Sequence, residues 1–150
     1  MKGFTILKSL VFGVCFALLF TGCTSNLNIN DWQTVHIKEG AFKIPSDWTY
    51  YSEDDQIYIE KDGQLIMNQV MNTDGFYSDK HTGEYQPISS NGKQYTNFVY
   101  VFNVICSQNG VKYRVRSISF PSSNGDLWVW SDDISDGTIR LIAESFQAKE

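Results

Sequence analysis

Residues 32–150 predict an α+β domain, a mainly antiparallel β-sheet with a C-terminal helix packed on one face. Asp62-Gly63 and Asn109-Gly110 each separate two runs rich in β-branched and aromatic residues. That pattern is the strongest short-range signal for a hairpin closed by a two-residue turn. Beyond residue 135 the apolar spacing lengthens, placing Ile139, Ile142, Ala143 and Phe146 on one helical face and Arg140, Glu144 and Gln147 on the other.

In chain order, Val35-His36-Ile37 and Ala41-Phe42-Lys43-Ile44 flank Lys38-Glu39-Gly40 as a first hairpin. Residues 56–60 and 65–71 flank Asp62-Gly63 as a second, and residues 98–106 and 111–120 flank Asn109-Gly110 as a third. A two-residue turn at Asn109-Gly110 pairs Cys106 with Tyr113, Ile105 with Arg114, Val104 with Val115 and Asn103 with Arg116. One face of this hairpin then carries Tyr100, Phe102, Val104, Cys106, Tyr113 and Val115, the better candidate for a core. The other mixes Val99, Val101 and Ile105 with Asn103, Arg114 and Arg116, as expected where a strand pair is only partly covered. Leu127-Trp128-Val129-Trp130 reads either as an edge strand or as a linker docking its tryptophans. Ser135 or Asp136 is suited to cap a helix spanning roughly residues 135–147.

Residues 74–96 are rich in Gly, Ser, Asp, Asn and Tyr and hold no sustained period, so they read as a long loop, with a hairpin at Asn91-Gly92 as the alternative. Loops beyond about 12–15 residues are often functional. Together with the polar end of the third hairpin, this loop nominates Tyr77, Tyr85, Tyr95, Arg114 and Arg116 as a binding surface. Exposed aromatic rings stack on sugars or bury against a protein partner.

Ala41-Phe42-Lys43-Ile44-Pro45-Ser46-Asp47-Trp48 resembles the strand, proline, small residue and tryptophan near the start of PsbP/Mog1-like domains. Ile142-Ala143-Glu144-Ser145-Phe146 is similar to the closing helix of such domains. The resemblance implies a two-layer or three-layer α+β sandwich over residues 32–150 and a non-catalytic accessory or interaction role. It carries over no catalytic residue.

At the other end of the chain, Lys2 and Lys8 precede an apolar run over residues 10–20, which closes with Thr21-Gly22-Cys23. The run is too short to cross a hydrocarbon core needing about 20 residues, and it has the layout of a signal peptide. Its ending resembles the lipobox of bacterial lipoproteins, which implies cleavage after Gly22 and acylation of Cys23. Residues 1–22 are then a signal segment and residues 23–31 a lipidated tether. Cleavage removes two of the 12 basic residues and none of the 17 acidic ones. A surface so acidic does not favour nucleic acid or bare anionic lipid, so membrane attachment falls to the acyl chains.

Catalytic signatures are sparse. His36 and His81 lack the spacing of a zinc site, and no serine has a recognisable nucleophile setting. Cys15 leaves with the signal and Cys23 is acylated, so Cys106 has no disulfide partner and reads as a small buried side chain. Glu53-Asp54-Asp55 reads as a solvated turn. Asp132-Asp133-Ile134-Ser135-Asp136-Gly137 fails as a calcium loop, because Ile134 takes the third ligand position. No metal or cofactor is expected. The expectation is a lipid-anchored bacterial envelope lipoprotein, monomeric and exposed outside the cytoplasm, whose domain is a non-enzymatic accessory or binding module for an envelope protein or glycan. The alternatives are an envelope hydrolase using the 74–96 loop and a glycan- or protein-binding adhesin module.

Overall fold

The computed structural model describes residues 28–73, 75–81, 83–121, 123 and 125–150, the side chain of Asn97 excepted. The expected signal segment, Cys23 and residues 24–27 lie outside the described residues. Of the expected tether, Ile29–Asp31 forms a 3-10 turn whose Asn30 N–H donates to Asn28 Oδ1 at 3.1 Å.

Among the described residues, eleven strands follow: β1 (Gln33–Ile37), β2 (Gly40–Ile44), β3 (Thr49–Glu53), β4 (Gln56–Lys61), β5 (Gln64–Thr73), β6 (Phe76–Asp79), β7 (Gly83–Gln94), β8 (Tyr100–Gln108), β9 (Val111–Ser119), β10 (Gly125–Val129) and β11 (Gln147–Ala148). Helix α1 (Asp136–Glu144) precedes β11. The three hairpins form where the sequence places them. Asp62-Gly63 and Asn109-Gly110 have positive φ at both residues, the geometry whose twist matches the flanking strands. The β8–β9 register pairs Cys106 with Tyr113 and Val104 with Val115, as expected from the turn.

The large sheet does not lie open beneath a helix. Antiparallel strands β5 to β10 run in sequence order, and β10 then pairs with β5 through Val129↔Met67 to Gly125↔Met71, closing a six-stranded barrel. Strands β4 and β3 extend from the edge of β5 that also carries β6. A separate small sheet, β1-β2-β11, sits with α1 against the barrel wall. The mainly antiparallel sheet and the C-terminal helix are as expected, but among the described residues the class is largely β with one small helix, because the sheet closes into a barrel instead of forming an α+β sandwich.

Two cores result from strand alternation. Inward residues Val70, Tyr85, Val104, Cys106, Val115 and Trp128 fill the barrel. Outward Ile118, Leu127 and Val129 meet Val35, Phe42, Ile44, Ile139, Ile142 and Phe146 of the small sheet and helix. Leu127-Trp128-Val129 is thus a closing strand buried on both faces, neither an edge strand nor a linker.

The 74–96 segment also departs from expectation. It supplies β6 and the twelve-residue β7, and Asn91-Gly92 lies within β7, paired with Asn103 and Phe102. Helix α1 ends earlier than its periodicity suggests. Ser145 caps it, donating its hydroxyl to the Ile142 carbonyl at 2.7 Å and accepting Lys43 N–H at 2.8 Å. Phe146 follows the helix rather than belonging to it.

Candidate functional site

Three chain reversals enclose a cavity of about 430 Å³ on the flank of the barrel. The β1–β2 turn brings Lys38 and Glu39, the β3–β4 turn brings Asp54 and Asp55, and the end of β6 brings Ser78, Asp79 and Lys80. Gln56, Gln69 and Met71 complete its lining. The volume falls in the range of small-molecule sites, roughly 300–1,000 Å³. Asp54 and Asp55 both have positive φ, a conformation that aspartate tolerates better than most residues. The Glu53-Asp54-Asp55 cluster is therefore the tight turn expected, and it also forms one wall of the cavity.

A buried hydrogen-bonded group supports that wall. Asp79 is 4 % exposed. Its Oδ1 accepts the Tyr58 hydroxyl at 2.9 Å and its Oδ2 accepts the His81 backbone N–H at 3.0 Å. Tyr58 has one proton to donate, and the carboxylate at 2.9 Å competes with Gln56 Oε1 at 3.2 Å. The charge-assisted bond is the stronger. Burial, reinforced by Asp79, raises the Tyr58 pKa, so the phenol remains a donor.

At the rim, Lys80 Nζ lies 2.6 Å from Asp54 Oδ2 and 2.9 Å from Glu53 Oε1, while His81 Nε2 lies 2.9 Å from Glu53 Oε2. The Asp54 and Glu53 hydrogen bonds raise the Lys80 pKa, and the Lys80 and His81 bonds lower that of Glu53. These exposed pairs contribute little stability, but they engage the Lys80 charge. Glu39 differs. Its Oε2 is shut off from solvent and receives no hydrogen bond from the described residues. Among the described residues, no three His, Cys, Asp or Glu side chains converge closely enough to hold a metal ion.

The residues nominated from sequence do not form one surface. Tyr85 is buried in the barrel, edge-on to Tyr113, and half-buried Tyr77 lies 4.8 Å from Trp128 between ring centroids. Tyr95 is half-buried, with Lys93 Nζ 5.4 Å from its ring centroid. Arg116 fastens the start of α1, donating to the carbonyls of Ile134 at 2.6 Å and Ser131 at 2.7 Å and pairing with Asp136 at 3.0 Å. Arg114 alone of the five is exposed. Tyrosines in a polar segment looked like loop residues because barrel closure, which turns two of them inward, leaves no local mark. The cavity residues carried a weak signal, the two turns Lys38-Glu39 and Asp54-Asp55, but nothing in the sequence brings those turns together.

The barrel interior holds a second electrostatic feature. Asp126 pairs with Ser119 on one side and Val70 on the other, and so faces inward. Burial raises its pKa, against the opposing pull of the Ser119 and Ser117 hydroxyls. Folding therefore shifts Asp126 toward its protonated form relative to the unfolded chain. Its contribution to stability is fully present below the ordinary aspartate pKa of about 3.9 and is lost as pH rises through the raised folded value. Asp126→Asn cannot ionise, so its melting temperature should exceed the parent's at pH 7, with the gap narrowing toward pH 4. A gap independent of pH would show that Asp126 is not the responsible group.

No protein-family model, curated protein or solved structure matches the chain.

Proposed function

We propose that the chain is a lipid-anchored envelope protein whose folded domain is a non-enzymatic binding module. The observation that carries the binding role is the flank cavity, walled by charged side chains from three turns and backed by a buried tyrosine–aspartate pair. A non-catalytic reading suits the nucleophile candidates. Cys106 is fully buried in the barrel with its pKa raised by burial, the opposite of an activated thiol. The Tyr58 phenol, its pKa raised, is unsuited to act as a base. The 74–96 segment assigned to a hydrolase is mostly strand.

Anchoring rests on Leu19-Phe20-Thr21-Gly22-Cys23. Among the described residues no helix is long and apolar enough to cross a membrane. A PsbP/Mog1-like kinship is supported by the way its two sequence segments meet, with Lys43 bonded to Ser145, Phe42 stacked on Phe120 and Phe146 tilted against Phe120. The anchoring test is metabolic labelling with radioactive fatty acid in a bacterial host. The parent should take up label, and Cys23→Ala should remain unlabelled and either uncleaved or soluble. Undiminished label in the variant would overturn the anchor.

A further inference from the structure

We propose that the outward face of β7, β8 and β9 is a cationic platform that docks on an anionic phospholipid bilayer and orients the domain there. The inference rests on the lipid-anchor reading: the acyl chains attach the protein, and the platform decides which side meets the surface.

Charge is segregated along the chain. No Asp or Glu occurs between Glu84 and Asp126, so all 17 acidic residues lie outside that interval, which holds Lys93, Lys112, Arg114 and Arg116. Strand register puts these four cations on one face. Lys112, Arg114 and Arg116 pair with Ser107, Ile105 and Asn103 of β8, which pair in turn with Gln86, Ser89 and Asn91 of β7. The alternate residues Val104, Cys106 and Val115 fill the barrel, so the three rows face outward. Lys93 pairs with Val101, which packs on the outer core, and so shares that face.

Most of this charge is free at the surface. Arg116 is occupied by Asp136 and by the carbonyls ahead of α1. Lys93, Lys112 and Arg114 are exposed and form no ion pair among the described residues. Between them lie Ser, Asn and Gln side chains and the half-buried Ile105, with no exposed large apolar side chain in the three rows. Such a face suits contact with headgroups rather than insertion among acyl chains.

Reach and topology select a bilayer as the occupant. A tether from Cys23 to Trp32 spans at most about 30 Å, so an anchored domain is held within reach of the headgroups. Strand β8 stands across the six-stranded barrel from β5, whose Gln69 and Met71 line the flank cavity. The acidic turns around that cavity therefore face away from a surface that the platform meets. At physiological salt, charges more than about 8 Å apart are largely screened, so those acids do not cancel the attraction. Each basic residue close to an anionic bilayer favours contact about fivefold.

The test places the full lipidated chain on preformed vesicles of phosphatidylcholine alone or of an equal mixture with phosphatidylglycerol. Flotation reports attachment, and mass spectrometry after brief acetylation reports the exposure of each lysine. The protein should float with both vesicles. On the anionic ones, acetylation of Lys93 and Lys112 should slow at least about fivefold relative to Lys38 at the flank cavity, and high salt should abolish the difference. Neutral vesicles should show none. Lys112→Glu with Arg114→Glu should remove the protection of Lys93, whereas Lys61→Glu with Lys149→Glu, the same change in net charge placed elsewhere, should leave it intact. All four side chains are exposed, so both double variants should keep the parent's melting temperature. Flotation with neither vesicle would overturn anchor and platform together, and flotation with the anionic vesicles alone would overturn the anchor and retain the platform. Flotation with both, but equal acetylation of Lys112 and Lys38, would retain the anchor and overturn the platform. Loss of protection in the Lys61 and Lys149 variant would also overturn it, by showing that net charge and not this face governs contact. Protection of Lys112 by dissolved polyglutamate and not by anionic vesicles would overturn the bilayer and assign the face to an acidic protein.

Discussion

Replacing Phe146 with alanine should destabilise the domain by about 3–5 kcal/mol, the usual cost of removing a fully buried phenylalanine ring. The side chain is 1 % exposed. Its ring lies 4.9 Å from Phe120, which stacks on Phe42 at 5.0 Å, so one aromatic series joins the end of α1, the barrel wall and β2. Gly40 lies directly beneath the Phe146 ring, and a side chain there would collide with that ring and with the Gln147 carbonyl. The space left by the missing ring is bounded by paired backbone on that side and cannot readily collapse. Removing Lys149 and Glu150 should cost far less, about 1 kcal/mol, the worth of one backbone hydrogen bond. That bond is the one from Lys149 N–H to the Glu39 carbonyl at 2.9 Å. Urea titrations of both variants decide the matter through their midpoints at a common slope. Equal midpoints would mean that α1 and β11 do not seal the small sheet onto the barrel.

Phe146 also illustrates what the sequence could and could not convey. Its burial beside Ile139 and Ile142 was legible from helical spacing, yet the helix stops at Glu144 and Ser145 redirects the chain into β11. The periodicity identified the buried face, whereas the capping contact to Lys43 is a tertiary bond between residues far apart in the chain. Turn chemistry was the most legible feature, because Asp62-Gly63 and Asn109-Gly110 impose positive φ locally and so determine register. Barrel closure was hidden for the converse reason. It depends on β10 meeting β5, a pairing between segments more than fifty residues apart, and no local pattern encodes it.

The long β7 was hidden by its surroundings. Along residues 86–94 it pairs with β8 alone among the described residues, and most of its side chains are exposed, so neither face required apolar alternation. Gly92 occurs there because the Phe102 ring occupies the space its side chain would take, a packing reason that imitates a turn signal. The cavity followed the same logic. Two of its turns, at Lys38-Glu39 and Asp54-Asp55, could be located in the sequence, but the reversal at Ser78-Asp79-Lys80 lay within the segment read as a long loop, and nothing local brings the three together.

Trp128→Ala should be as damaging as Phe146→Ala, about 3–5 kcal/mol, but for the other core. Trp128 is 0 % exposed, and its ring centroid lies 4.8 Å from Tyr77, 5.4 Å from Tyr85 and 5.5 Å from Trp130. It is therefore the hub of the aromatic filling that substitutes for a hollow barrel. Trp128 and Trp130 differ in their polar handles. Trp130 Nε1 donates to Asn68 Oδ1, whereas Trp128 Nε1 is buried with no acceptor among the described residues. Burying a donor unpaired costs about 1–3 kcal/mol, so Trp128→Phe loses packing volume but also relieves that cost. Its net destabilisation should be clearly smaller than that of Trp128→Ala. The ordering expected in urea midpoints is parent first, Trp128→Phe next and Trp128→Ala last by a wide margin. A phenylalanine variant as unstable as the alanine variant would mean that the indole N–H is satisfied in solution and that its bond, more than ring volume, holds this core.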